Sequence, residues 1–94
     1  MNSVILIGKV KDIDIEKNNF ILCVERNHRD ENGVFNSDCF LCKPWKGMNT
    51  YLSNYLNAND LLIIKGQLEN NNNAFEVLVD QFSIIHRPNK KLTT

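Results

Sequence analysis

Asn19-Phe20-Ile21-Leu22-Cys23-Val24-Glu25-Arg26-Asn27, then His28 to Phe35, then Asn36-Ser37-Asp38-Cys39-Phe40-Leu41-Cys42-Lys43-Pro44-Trp45: this stretch decides the fold. In the first run Phe20, Leu22 and Val24 share one face, which Arg26 continues, while Ile21, Cys23, Glu25 and Asn27 share the other. That period of two is a strand with one side on a core. Asn32-Gly33 turns the charged loop that follows, because both residue types tolerate positive φ. A second strand runs from Asn36 to Lys43 and stops at Pro44, which has no N–H to give a ladder. Phe40 has the parity of Cys42 and is expected in the core. Trp45, the only Trp of the chain, follows between Lys43 and Lys46.

Upstream, Ser3 to Val10 reads as the first strand. Val4 to Ile7 are apolar without alternation, so both faces should be covered. A barrel covers only the inner one, and the outer face calls for a helix or another subunit. Gly8 implies a bend or a close backbone approach. Downstream, Met48, Tyr51, Leu52, Tyr55 and Leu56 fall at helical spacing, which predicts a helix over about residues 47–57 with both tyrosines packed. Asn57-Ala58-Asn59 supplies its left-handed end. Asp60 to Glu69 is a fourth strand, and residues 70–73 form a hairpin loop. A fifth strand points Phe75, Val77 and Val79 inward; the changed parity of Phe82 and Ile84 implies a bulge near Asp80-Gln81. Residues 1–87 form one domain, with a short basic tail at 88–94. The order is β-β-β-α-β-β, mainly β. A five-stranded Greek-key barrel with one α-helix between strands three and four is the OB fold, which grips oligonucleotides and oligosaccharides.

With 94 residues and 43% apolar composition the chain suits one small folded domain. No apolar run approaches the roughly 20 residues that span a bilayer, and Val4–Ile7 is too short for a secretory core; the expectation is a cytoplasmic protein. Eleven basic side chains balance eleven acidic ones, so any affinity for phosphate rests on local clusters rather than on net charge. Cys39-x-x-Cys42 looks like a metal or redox pair, but positions three apart on a strand face opposite ways. The three cysteines are therefore expected to be reduced and buried. The sequence contains no Gly-rich phosphate loop, metal-ligand cluster or nucleophile–base pair, which leaves no expectation of an enzyme, a cofactor or a metal.

Rings set among cations on a small β scaffold suit unpaired bases and their phosphates. On that basis Trp45 and His28 are candidate stacking residues, each against a plainer reading as a core aromatic or a solvated histidine. Phe35 either clamps a base or closes over the barrel. Lys9, Arg26, Arg29, Lys43 and Lys46 are candidate phosphate contacts, against the usual fate of solvated surface charges.

These motifs resemble the bacterial single-stranded DNA-binding proteins over roughly Asn2 to Ile85. Met1-Asn2-Ser3-Val4-Ile5-Leu6-Ile7-Gly8-Lys9-Val10 is similar to that family's opening strand, and Asn19 to Asn27 to its Asn-Phe-Thr-Leu-Ala-Val-Asn-Arg-Asn strand. Asp38-Cys39-Phe40-Leu41-Cys42, Trp45-Lys46, Tyr55-Leu56 and Lys65-Gly66-Gln67-Leu68 follow in the family's order and spacing. The resemblance implies single-stranded DNA as partner, a homo-oligomer (dimer or tetramer), and binding roles for Trp45, His28, Lys9 and Arg26. Cys39 stands where the family usually has an aromatic, Leu41 where a polar residue is common, and the last hairpin is shorter. The family's acidic tail has no counterpart in Asn89 to Thr94. A compact OB domain of this kind also resembles the PriB-type primosomal proteins, which implies docking to a helicase or another replication protein as the alternative role.

Overall fold

The computed structural model describes residues 1–47 and 51–88. Five strands, β1 (Val4–Asp14), β2 (Asn19–Glu25), β3 (Ser37–Pro44), β4 (Leu61–Asn71) and β5 (Ala74–His86), close into a barrel in the order β1-β2-β3-β5-β4. Four of the pairings are antiparallel; β3 and β5 run parallel. This is the OB architecture.

The alternation in the sequence is what fills the barrel. Val10, Phe20, Leu22, Cys42, Leu62, Ile64, Val77 and Val79 point inward and are almost wholly buried, and Leu52 and Leu56, from the segment that links β3 to β4, complete the core. Each such side chain contributes about 1.5–3 kcal/mol relative to exposure. Phe40 packs against this cluster, as its parity requires. Three register irregularities bend the strands: Lys11 is unpaired between Val10↔Leu22 and Asp12↔Ile21, Asp80 between Lys65↔Gln81 and Gly66↔Val79, and Ile85 between Leu61↔His86 and Leu62↔Ile84. The second lies where the parity of β5 changes. Gly8 lets β1 approach β2 closely, since a Cβ there would meet the Cys23 carbonyl oxygen at 2.5 Å.

Several expectations are corrected. No α-helix lies between β3 and β4 in the described residues; Leu52–Asn54 form a single 3-10 turn, and Met48 falls outside the described residues. Short hydrogen bonds replace helical ones: Asn18 Oδ1 accepts from the Ser53 N–H at 3.0 Å, and Tyr51 Oη donates to the Glu16 carbonyl at 3.3 Å. Tyr51 and Tyr55 are consequently exposed rather than packed. Asn59 does take the left-handed conformation, with φ 72°. Phe75 has the inward parity of Val77 but is 62% exposed, because β4 and β5 run on past the barrel rim as a two-stranded arm. Ladder pairing extends to Asn71↔Ala74, so the arm turns on Asn72-Asn73 alone, both at positive φ (54° and 65°), instead of a four-residue loop.

The thiol expectation fails for two of the three cysteines. Cys23 and Cys39 are register partners on β2 and β3, with Cα atoms 4.0 Å apart, and form a disulfide. Cys42 is free and buried, and burial pushes its thiol up to about 12. The opposite facing of Cys39 and Cys42 holds, but the informative partner of Cys39 lay on the neighbouring strand.

Candidate nucleic-acid interface

Since β2 and β3 send Phe20, Leu22, Phe40 and Cys42 inward, their odd-numbered residues from Ile21 to Lys43 make an outer wall. Strand register fixes the neighbours. Lys9 lies opposite Cys23, Cys23 opposite Cys39, Ile21 opposite Leu41, and Lys43 opposite Leu78. The wall thus has a weakly polar centre of Ile21, Leu41 and the disulfide, with Lys9 at one margin and Lys43 at the other. A cavity of about 460 Å³ indents it where Lys9, Cys23 and Ser37 converge.

Trp45 stands just past the end of β3. Its N–H donates to the Val79 carbonyl at 3.0 Å, which extends the parallel ladder by one bond and fixes the backbone. The indole folds over Gly47, where any Cβ would overlap the ring, and the residue is 45% exposed. It is not a core aromatic.

The other sequence-predicted residues do not all join it. Lys43 is held by carboxylates, its Nζ 2.8 Å from Glu76 and 3.8 Å from Glu69. The hydrogen bond to Glu76 holds the ammonium above the usual lysine range, and the same bond holds Glu76 below the usual carboxylate range. Arg26 continues the inward parity of β2 and lies at the barrel mouth, where Nε and Nη2 donate to both oxygens of Asp38 at 3.0 and 2.8 Å. That fork holds the Asp38 carboxyl below its ordinary range. His28 borders the same mouth, a shallow cavity of about 280 Å³ floored by Leu6, Val24 and Phe40. Arg26 and Lys43 are therefore not the uncommitted cations that the sequence suggested.

Arg29 and Phe35 form a pair within the β2–β3 loop, the guanidinium 4.7 Å from the ring centroid. Asp30 organises this loop by accepting from the N–H groups of Asn32 and Val34 and from the Asn36 side chain at 2.8–3.0 Å. These bonds, the Val34 N–H first, hold its carboxyl below the ordinary range. Phe35 packs under Arg29 and remains exposed. Lys9 and Lys46 are exposed and have no carboxylate partner among the described residues. Sequence reasoning missed Glu69, Glu76 and the disulfide, all of which become neighbours only through cross-strand register.

Two further features frame the site. Ile5 and Ile7, 63% and 52% exposed, lie on the outside of β1, and Ile7 lies opposite Ile63 on β4, giving a second, apolar outer face. At the far end Asp60, fully buried, accepts from Arg87 Nε and Nη2 at 2.9 and 2.7 Å and from the Asn57 N–H at 2.8 Å. Arg87 Nη2 also donates to the Tyr55 carbonyl at 2.8 Å, which straps the segment between β3 and β4 to the end of β5.

A closed five-stranded OB barrel with an exposed ring and cations on one wall has the general form of an oligonucleotide-binding domain. No model of a known protein family matches the chain. Single-stranded DNA-binding protein 1 of Streptococcus pyogenes serotype M18 is 25% identical over 111 aligned residues, covering 100% of this chain and 85% of that protein. The small single-stranded DNA-binding protein of Streptomyces coelicolor superposes with a TM-score of 0.65 at 15% identity, covering 89% of this chain and 94% of that one. The dimeric N-terminal domain of PriB from Thermoanaerobacter tencongensis gives 0.55 at 20% identity, covering 92% and 98%. In sequence this chain is similar to a bacterial single-stranded DNA-binding protein, and in fold to small proteins of that kind. Among the described residues, no helix is long and apolar enough to cross a membrane.

Proposed function

We propose that the chain binds single-stranded DNA with little sequence preference, using the outer wall of β2 and β3, in replication, recombination or repair. The observation that carries this reading is the exposed indole of Trp45 at the end of an OB wall, with exposed Lys9 at one margin and exposed Lys46 beside the ring in sequence. Bases stack on the indole and lie along Ile21 and Leu41, and every base offers a π-face, so sequence matters little. Lys9 and Lys46 neutralise phosphates first. Lys43 and Arg26 join only by exchanging a carboxylate for a phosphate, while His28, Arg29 and Phe35 meet the strand as it leaves the wall through the β2–β3 loop. The mechanism is stoichiometric binding rather than turnover, and the working place is the cytoplasm.

A second copy of the chain covers Ile5, Ile7 and Ile63, which makes the working unit a homo-oligomer.

The test is a titration with oligo-dT of several lengths, following Trp45 fluorescence while light scattering reads mass. Saturable quenching with a site size that grows with oligomer supports the reading. Trp45→Ala should weaken binding by about 1–3 kcal/mol; unchanged affinity in a folded variant removes Trp45 from the site. Absence of binding combined with stoichiometric capture of a replicative helicase would favour the PriB-like docking role.

A further inference from the structure

We propose that Cys23 and Cys39 are a reversible redox modification site that adjusts the hold of the outer wall on single-stranded DNA. The proposal rests on the binding reading above. Its oxidant is a low-molecular-weight disulfide of the glutathione class.

Three observations converge. The two sulfurs lie at the centre of the wall, on the register partners Cys23 and Cys39, and Cys23 borders the cavity that Lys9 and Ser37 also line. Cys39 is exposed and Cys23 half-buried, so an external thiol or disulfide reaches the pair from solvent. Cys42 is sealed in the core with its thiol pushed up to about 12, and takes no part. The chain thus separates an accessible cysteine pair from an inert one. In a reducing compartment such as the proposed cytoplasmic one, a disulfide is more often transient than structural, since such compartments hold thiols open.

The exchange balances in two steps. The Cys39 sulfur, having lost its proton, attacks one sulfur of oxidised glutathione, forming a mixed disulfide and expelling one glutathione thiolate. The Cys23 sulfur, likewise deprotonated, then attacks the Cys39 sulfur and expels the second. Two protein thiols become one disulfide, and two electrons and two protons pass to glutathione, giving two molecules of its thiol form.

The output follows from position. The bond ties β2 to β3 two ladder pairs below the loop, beneath Val24↔Asp38 and Glu25↔Ser37. That loop carries His28, Arg29 and Phe35. Closing the bond fixes both stems of the loop and holds the wall in a single arrangement, so less ordering remains to be done when a strand docks. Opening it leaves the stems to the ladder alone. The oxidised form therefore binds more tightly.

The experiment equilibrates the full chain in glutathione buffers of graded ratio. Free thiols are counted by mass after alkylation, and oligo-dT affinity is measured by Trp45 fluorescence at each ratio. We expect two thiols to disappear together while a third persists, and affinity to rise about fivefold over the same range. Cys39→Ser should hold the reduced protein's affinity at every ratio; because the comparison of wild-type states needs no substitution, it decides the matter even if that variant fails to fold. A pair that stays open, or stays closed, at all ratios overturns the proposal. So does a pair that titrates with unchanged affinity, in which case the binding reading stands. Thiol titration without oligo-dT binding in either state overturns both.

Discussion

Glu76→Gln should strengthen single-stranded DNA binding, and the reason is visible at Lys43. Its ammonium sits between Glu76 at 2.8 Å and Glu69 at 3.8 Å, so the three groups together carry one negative charge on the margin of the wall. Glutamine keeps the shape of the largely covered Glu76 side chain and an acceptor for the ammonium while removing the charge. The cluster then sums to zero, and the only carboxylate left to hold Lys43 is Glu69 at the longer distance. A unit charge removed about 6 Å from a phosphate in a water-like dielectric changes affinity by a factor of about three. If Lys43 also takes up a phosphate, the salt dependence steepens by about 0.7 in log–log slope. The assay is the oligo-dT titration of Trp45 fluorescence across a several-fold range of salt, with circular dichroism confirming the fold. Affinity that is unchanged or lower in a folded variant would refute the reasoning and remove the Lys43 margin from the DNA path.

Three further outcomes concern the scaffold. The Asp60 carboxyl is held below the ordinary aspartate range, first by its hydrogen bond to Arg87. A depressed folded-state value means its contribution to stability is complete above that ordinary range and is lost as pH falls through the folded value. Asp60→Asn should cost about 3 kcal/mol at neutral pH, since it leaves the guanidinium facing a weaker partner, and should flatten the loss of stability in acid; urea midpoints that fall in parallel with wild type would contradict this. Gly8→Ala should cost about 1–3 kcal/mol by forcing β1 away from the Cys23 carbonyl, and a change within experimental error would mean that β1 gives way freely. Phe75→Ala should change stability by no more than about 0.5 kcal/mol, because the ring is 62% exposed; a loss of the size expected for a buried Phe, about 3–5 kcal/mol, would return it to the core.

How much of this was legible in the chain depends on whether the signal was local. The alternation of Phe20, Leu22 and Val24 and of Val77 and Val79 gave the strands, and the changed parity at Phe82 located the bulge at Asp80, because each strand keeps one face on the core. The helix was a misreading of the same logic. Leu52 and Leu56 are buried at helical spacing, but Tyr51 and Tyr55 are not, and the Asn18 and Asp60 side chains offer that segment hydrogen bonds that compete with helical ones. Phe75 had the parity of a core residue but lies past the rim, where there is no interior to enter. The exposure of Trp45 decides between the stacking and core readings that the sequence offered, in the direction its flanking lysines favour. The partners of Arg26, Lys43, Cys23 and Cys39 were not foreseen, since each pairing joins two strands whose register no local pattern reports.

The Asn72-Asn73 turn makes the β4–β5 arm a stub rather than a finger. An arm of that length is too short to fold back across the wall, so in the proposed binding mode a polynucleotide would rest on an open ledge instead of passing through a ring. On that binding mode loading would need no free end, and the protein would settle on an interior stretch of a long strand.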